Sequence, residues 1–352
     1  MKKLAVVAIS KHGRLLAQKI AQLKKADLYL AEKISSEGDK ACRFAGSELQ
    51  SLMGRLFQEY DAIICIMALG IVVRKIAPYI QDKRYDPAVV VLDELGQSVI
   101  SVLSGHLGGA NSLTRELAKA IHSRAVITTA TDLHHKMALD LVAQKWGCEI
   151  IPFANLKKIS GAVVNDESVA FYSQYREAEA LATEQIHVYA LEDYQSVVAE
   201  KAAVFLTNRE IALPKDRVSV FLRPKNVAVG IGCRRGIEMA LIEKAVKEAL
   251  SRCKIAGESI LCFASIDLKQ DEAGLVSLAD KWRLPIRFYT KEEINQMEDA
   301  KAYSQFVKEK IGVNGVCEQT AMLSLKNPQL ILGKSVLVPG VTVAVAEERF
   351  LL

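Results

Sequence analysis

Apolar runs of strand length that alternate with stretches of helical spacing constrain this chain more than any other feature. Residues 4–9 (LAVVAI) form a continuous apolar run, and RLLAQKIAQLKKA behind them repeats apolar residues at helical intervals. The pattern continues with a short strand at 27–31, a helix over 47–60 opened by a serine cap with a glutamate close behind, and a buried strand within 62–69. Gly70 lies where that strand turns into residues 71–80. Residues 88–92 and 98–103 flank a glycine-containing loop and read as a hairpin. A helix over 111–122, a strand over 125–129 and a helix over 135–146 complete the first part. Strands that feed helices in this way imply a largely parallel sheet with helices on its faces.

From about 148 to 226 the pattern is less regular, with β-like runs at 169–172, 187–190, 204–207 and 218–222 between charged segments. Arg223-Pro224-Lys225-Asn226 reads as a linker, because proline disfavours helix in the residue before it. Alternation then resumes, with strands at 227–231, 260–266 and 285–289 and helices at 237–251, 272–282, 291–297 and 316–325. Two β-like runs, 330–332 and 341–345, close the chain. At roughly 100–200 residues per domain, 352 residues make two or three. The expected fold class is α/β: two larger α/β domains with mainly parallel sheets, residues 1–147 and 226–352, joined by a smaller α/β middle module, 148–225.

Composition excludes several functions. Aromatics at 6% argue against a base-stacking surface for nucleic acid. The net charge of +5 is dispersed in pairs such as Lys24-Lys25 and Lys157-Lys158, which read as solvated faces, though a modest positive excess also suits a polyanionic small molecule. Seven cysteines without CxxC spacing fit neither a disulfide framework nor a usual zinc site. The N-terminus lacks signal-peptide form, and no window approaches the ~18 apolar residues of a membrane span. A cytoplasmic protein without nucleic-acid or membrane partners is expected. A homodimer, or transient contact with other enzymes, is left open.

Three loops carry chemistry. In Ser104-Gly105-His106-Leu107-Gly108-Gly109-Ala110-Asn111, glycines free the backbone, N–H groups at a helix start are placed to cradle an anion, and His106 suits a base near neutral pH. The same glycines would equally serve a tight turn. In Gly230-Ile231-Gly232-Cys233-Arg234-Arg235-Gly236 the spacing is GxGxxxG, with no acidic strand end about 20 residues on, so a dinucleotide site is disfavoured. Two arginines there suit carboxylates, and Cys233, with no adjacent histidine, reads as a packing residue. In residues 265–275, Asp271 and Glu272 favour a helix start, and Lys269 is a candidate cation. Thr128-Thr129-Ala130-Thr131-Asp132 is a polar strand end of the kind that meets ligands in open sheets, and the adjacent pair His134-His135 is not a metal motif.

These segments, together with Gly70-Ile71-Val72-Val73-Arg74 and Asp86-Pro87-Ala88-Val89-Val90-Val91, run in an order that resembles the cobalt-precorrin-5A hydrolase family (CbiG) of anaerobic cobalamin biosynthesis. The resemblance covers nearly the whole chain and thins between about 150 and 225. Residues 315–321 depart from it, carrying bulkier, more polar side chains than the small-residue run of that family. The resemblance implies hydrolysis of the δ-lactone of a cobalt-carrying, polyanionic corrinoid, with release of acetaldehyde and no cofactor or metal beyond the cobalt on the substrate. On residue chemistry alone, His106 is the expected general base for that reaction. Gly70, Arg74, Ser104, Gly105, Gly108, Gly109, Asn111, Thr131, Asp132, Gly230, Gly232, Cys233, Arg234, Arg235 and Lys269 would bind substrate, with the two arginines and Lys269 on its carboxylates. A non-catalytic corrinoid-delivery protein is the alternative.

Overall fold

The computed structural model describes residues 3–196, 200–212, 217–299 and 316–349. The chain divides into two compact units, Met1–Leu141 and Val142–Leu352. Gly315, the first residue of the atypical segment 315–321, lies outside the described residues.

The first unit is built on a seven-stranded sheet in the order β3-β2-β1-β4-β5-β6-β7. Its strands are β1 (Leu4–Ala8), β2 (Asp27–Ala31), β3 (Cys42–Phe44), β4 (Ala62–Ile66), β5 (Ala88–Leu92), β6 (Ser98–Leu103) and β7 (Arg124–Val126). β4 and β5 are buried at every position, as expected of strands covered on both faces. Around them run α1 (Lys11–Lys24), α2 (Leu49–Glu59), α3 (Leu69–Ile76), α4 (Ala110–Ile121), α5 (Ala130–Leu133) and α6 (Leu139–Lys145). β1 to β5 are parallel, β6 runs antiparallel to β5, and β7 is parallel to β6. The chain therefore leaves β4 at one edge of the sheet and leaves β6 and β7 at the other. Strands of this length hold the two edges roughly 17 Å apart.

The second unit contains two five-stranded sheets. One, ordered β10-β9-β11-β12-β8, comprises β8 (Cys148–Ile151), β9 (Val169–Ser173), β10 (Ile186–Ala190), β11 (Ala202–Leu206) and β12 (Val218–Pro224), with α7 (Leu156–Val164) against it. Only β8 is antiparallel there. The other, ordered β15-β14-β13-β17-β16, comprises β13 (Val227–Cys233), β14 (Ile260–Ile266), β15 (Ile286–Tyr289) and the hairpin β16 (Pro328–Val338) and β17 (Val341–Glu348). Its helices are α8 (Met239–Cys253), α9 (Ala273–Trp282), α10 (Lys291–Asp299) and α11 (Val316–Leu323). β13 to β15 are parallel and β17 antiparallel to β13, so the architecture is α/β with mainly parallel sheets throughout.

Four local expectations change. The predicted helix over 135–146 shortens to α6, Leu139–Lys145, because His135 takes φ +52° and Lys136 N–H closes back on the Thr131 carbonyl. Glu48, rather than Ser47, supplies the capping contact before α2, its carboxylate accepting from Ala45 N at 2.9 Å. Segments β3, β8 and α7 carried no clear periodic signal. Arg223-Pro224-Lys225-Asn226 is no free linker: Arg223 and Pro224 end β12, and the Arg223 guanidinium is buried on the carbonyls of Thr207 and Arg209.

Candidate active site

His106 is presented by the turn between β6 and α4, and that turn has little latitude. Ser104 takes φ +55° and Gly109 φ +89°. A Cβ on Gly108 would lie 2.4 Å from Ser104 Cβ and 2.8 Å from the Ser104 carbonyl oxygen. The loop uses its own amides: Gly109 N donates to His106 O, Ala110 N to Ser104 O and Asn111 N to Gly105 O, at 2.9–3.1 Å. Those three N–H groups are not available to an anion. The turn is a pedestal for His106, and the expected cradle at these amides is not formed.

Both nitrogens of His106 face carboxylates. Nδ1 lies 3.2 Å from Asp140, and Nε2 lies 3.1 Å from Asp132 Oδ2 and 3.1 Å from Thr131 Oγ1. Asp132 is held in turn by Asn111 Nδ2 at 2.7 Å and by the Arg115 guanidinium. Asn111 also donates to Thr129 Oγ1 at 3.1 Å and accepts from Ser101 Oγ at 2.7 Å. The side chains of His106, Asp132 and Asp140 are 16, 14 and 9% exposed, so solvent does little to screen the cluster. A neutral imidazole offers one N–H, whereas an imidazolium donates to both aspartates.

The titration behaviour agrees with this geometry. The hydrogen bond to Asp140 holds the His106 pKa above the ordinary histidine value, burial opposes the shift, and Asp132 adds to it. Burial pushes both aspartates up. For Asp132 this is outweighed by Arg115, His106 and Asn111, and for Asp140 by the His106 hydrogen bond and charge and by the charge of Lys83, so both end below the usual range. A raised histidine pKa stabilises the fold below the ordinary histidine value and loses that effect as pH climbs through the raised one. The lowered aspartates stabilise above the ordinary carboxylate value and lose their effect as pH falls through the lowered ones. The cluster is therefore strongest between the ordinary carboxylate and histidine values.

In the second unit, the glycines at the end of β13 admit protein, not pyrophosphate. A Cβ on Gly230 would lie 1.8 Å from the Cys317 carbonyl oxygen in α11, and one on Gly232 would lie 2.5 Å from Thr342 Oγ1. Helix α8 begins only at Met239, so the glycine turn does not open a helix as a dinucleotide fingerprint does. Arg235 is bound to Asp271 at 2.8 Å and to the Leu268 carbonyl at 3.1 Å. Lys269 Nζ lies 3.5 Å from the buried Glu272, which also accepts from Gly236 N at 2.8 Å. Arg234 instead lines a cavity of about 420 Å³ with Gly232, Cys233, Lys334, Gly340 and Thr342. Burial raises the Cys233 thiol, so it is a wall and not a thiolate nucleophile. Of the three expected cations, one faces the cavity and two have carboxylate partners.

Three family models match in order: cobalamin synthesis G N-terminal over residues 51–132, cobalamin biosynthesis central region over 137–224 and cobalamin synthesis G C-terminus over 227–346. The chain is 35% identical over 330 residues to a cobalt-precorrin-5A hydrolase of Priestia megaterium, covering 91% of this chain and 88% of that protein. It is 33% identical over 342 residues to the cobalt-precorrin-5A hydrolase of Salmonella typhimurium, covering 97% and 96%. The chain belongs to the cobalt-precorrin-5A hydrolase family. A solved structure of a cobalamin biosynthesis protein G homolog from Sulfolobus solfataricus is 25% identical, with 98% of this chain and 97% of that one covered at a TM-score of 0.40.

Within this member of the cobalt-precorrin-5A hydrolase family, Ser104, Gly105, Gly108, Gly109, Asn111, Thr131 and Asp132 fall around His106, while Gly70 and Arg74 do not. Both lie in α3, exposed, after β4 and thus at the opposite sheet edge. The order of motifs along the chain carried no information on strand direction, and β6 reverses it. Sequence reading missed Asp140, Arg115 and Lys334. Asp140 had a usable signal: one acid within the apolar run 138–143, where a buried carboxylate needs a partner.

Proposed function

We propose that this protein hydrolyses the δ-lactone of cobalt-precorrin-5A and releases acetaldehyde, in the cytoplasm and with no cofactor of its own. The curated relatives, matched over most of their length, are named for this hydrolase, and the observation that carries the chemistry is His106 held at both nitrogens by aspartates, Asp140 buried and Asp132 half-buried. In that arrangement His106 begins as a proton donor, where the residue type alone had suggested a base. Water adds to the lactone carbonyl and the carbonyl carbon–oxygen bond breaks. The leaving oxygen takes the proton from His106, and the second proton of water returns the imidazole to its charged form. The freed hydroxyl then loses its proton as its carbon–carbon bond to the macrocycle breaks. That yields acetaldehyde, and the electron pair left on the ring takes up a proton. Arg234 supplies a contact for a substrate carboxylate, cobalt arrives with the substrate, and neither nucleic acid nor a membrane is a partner.

The test is direct. Purified protein incubated anaerobically with cobalt-precorrin-5A is expected to release one acetaldehyde per lactone opened, followed with a coupled aldehyde assay. Tight binding of unchanged corrinoid without aldehyde would favour a delivery protein and overturn the proposal.

A further inference from the structure

We propose that the cavity at the carboxyl end of β13 is an anion pocket in which Arg234 and Lys334 together grip one carboxylate arm of the substrate, and that Arg235 and Lys269 take no part. The identity of the arm's owner rests on the hydrolase reading; the pocket itself rests on charge and placement.

Four cavities among the described residues differ in sign. The one between the ends of β1 and β4 is lined by Asp93 and Glu94 and no cation. The groove on α8 carries Lys244 and Lys247 beside Glu243 and Glu248. The one at the ends of β9 and β11 mixes Arg176, Arg209 and Arg349 with four glutamates. The β13 cavity has two cations and no carboxylate in its lining.

Both cations are held by their backbones, which leaves their charged ends for a ligand. Arg234 N donates to the Gly340 carbonyl at 2.9 Å, and its stem lies on Gly340, where a Cβ would come within 3.3 Å of Arg234 Cδ. Gly340 takes φ +86°, the conformation that the β16–β17 turn requires and that glycine adopts freely. Lys334 N donates at 2.6 Å to Glu318 Oε1, a carboxylate only 5% exposed. This buried acid fixes the strand at the lysine, yet no described carboxylate lies within ion-pair distance of the Lys334 ammonium. The guanidinium of Arg234 likewise has no described carboxylate partner. Their neighbours differ: Arg235 is neutralised by Asp271, and Lys269 lies beside Glu272. A volume of about 420 Å³ has room for a carboxylate on a short alkyl arm. A guanidinium fork with an ammonium beside it is complementary to its two oxygens.

The experiment measures equilibrium binding of cobyrinic acid, a corrinoid with free carboxylate arms, with its neutral methyl ester and inorganic phosphate as separate arms. Arg234→Gln and Lys334→Gln are each expected to weaken the acid by roughly 10–100-fold, the range for a charged hydrogen bond. Binding of the ester should not change, Arg235→Gln and Lys269→Gln should stay within about twofold, and phosphate should compete only weakly. An unaltered Tm would show that each variant is folded. Three results would overturn the pocket: no binding of the acid by the unaltered protein, equal binding by the Arg234 and Lys334 variants, or as large a loss from Arg235→Gln. Phosphate binding as tightly as the corrinoid would overturn the substrate arm as occupant. Absence of acetaldehyde release with this pattern intact would remove the hydrolase and leave the pocket.

Discussion

Changing His106 to alanine is expected to slow acetaldehyde release by about two to four orders of magnitude, the span of a lost general acid or base. At 1.36 kcal/mol per tenfold, this is roughly 2.7–5.4 kcal/mol of barrier. The expectation follows from the isolation of the imidazole. Asp132 has Arg115 and Asn111 as further partners, but it is a proton acceptor and cannot take over donation to a leaving oxygen. The substitution also removes the hydrogen bond from a 9%-exposed Asp140, so stability should fall and activity must be compared at a temperature where both proteins are folded. Turnover within a few-fold of the unaltered enzyme in a folded variant would remove His106 from the chemistry.

Gly230→Ala should produce a large loss of stability in the second unit. Its Cβ would sit 1.8 Å from the Cys317 carbonyl oxygen, and a backbone atom cannot rotate aside as a side chain can. Either α11 moves off β13 or the strand bends. The expected cost is about 3 kcal/mol, at the upper end for overpacking. For a unit of this size that is a Tm drop of roughly 6–12 °C. Gly236→Ala is the comparison: it takes φ +72° with no atom within 4 Å of the added carbon, so only backbone strain of about 1–2 kcal/mol applies. Thermal unfolding of the two variants should rank in that order. Equal Tm values would mean that α11 gives way freely.

What was legible in the sequence followed from burial. Residues 62–66 and 88–92 are apolar throughout because both faces of their sheet are covered, and such runs announce strands without knowledge of neighbours. β3 was invisible because it is three residues long with two exposed. The helix over 135–146 misled because Leu139, Ala143 and Trp146 are buried at helical spacing, while a single left-handed residue, His135, breaks the backbone. His106 was visible as chemistry in a loop, but its partners were not. Asp140 lies 34 positions away and Lys334 is a hundred beyond Arg234, and only the folded sheet brings such residues together. Motif reading also grouped Arg234 and Arg235 as equals. Their difference is the placement of Asp271, which spacing along the chain does not reveal.

The central claim is that His106 rests as an imidazolium between Asp140 and Asp132, and ¹⁵N NMR of the histidine ring tests it most directly. Near neutral pH both His106 nitrogens should carry a proton in the unaltered protein. In Asp140→Asn the charged form should disappear at a lower pH, because the largest cause of the raised pKa has been removed. A neutral His106 with one bare nitrogen at neutral pH, titrating identically in both proteins, would contradict the account.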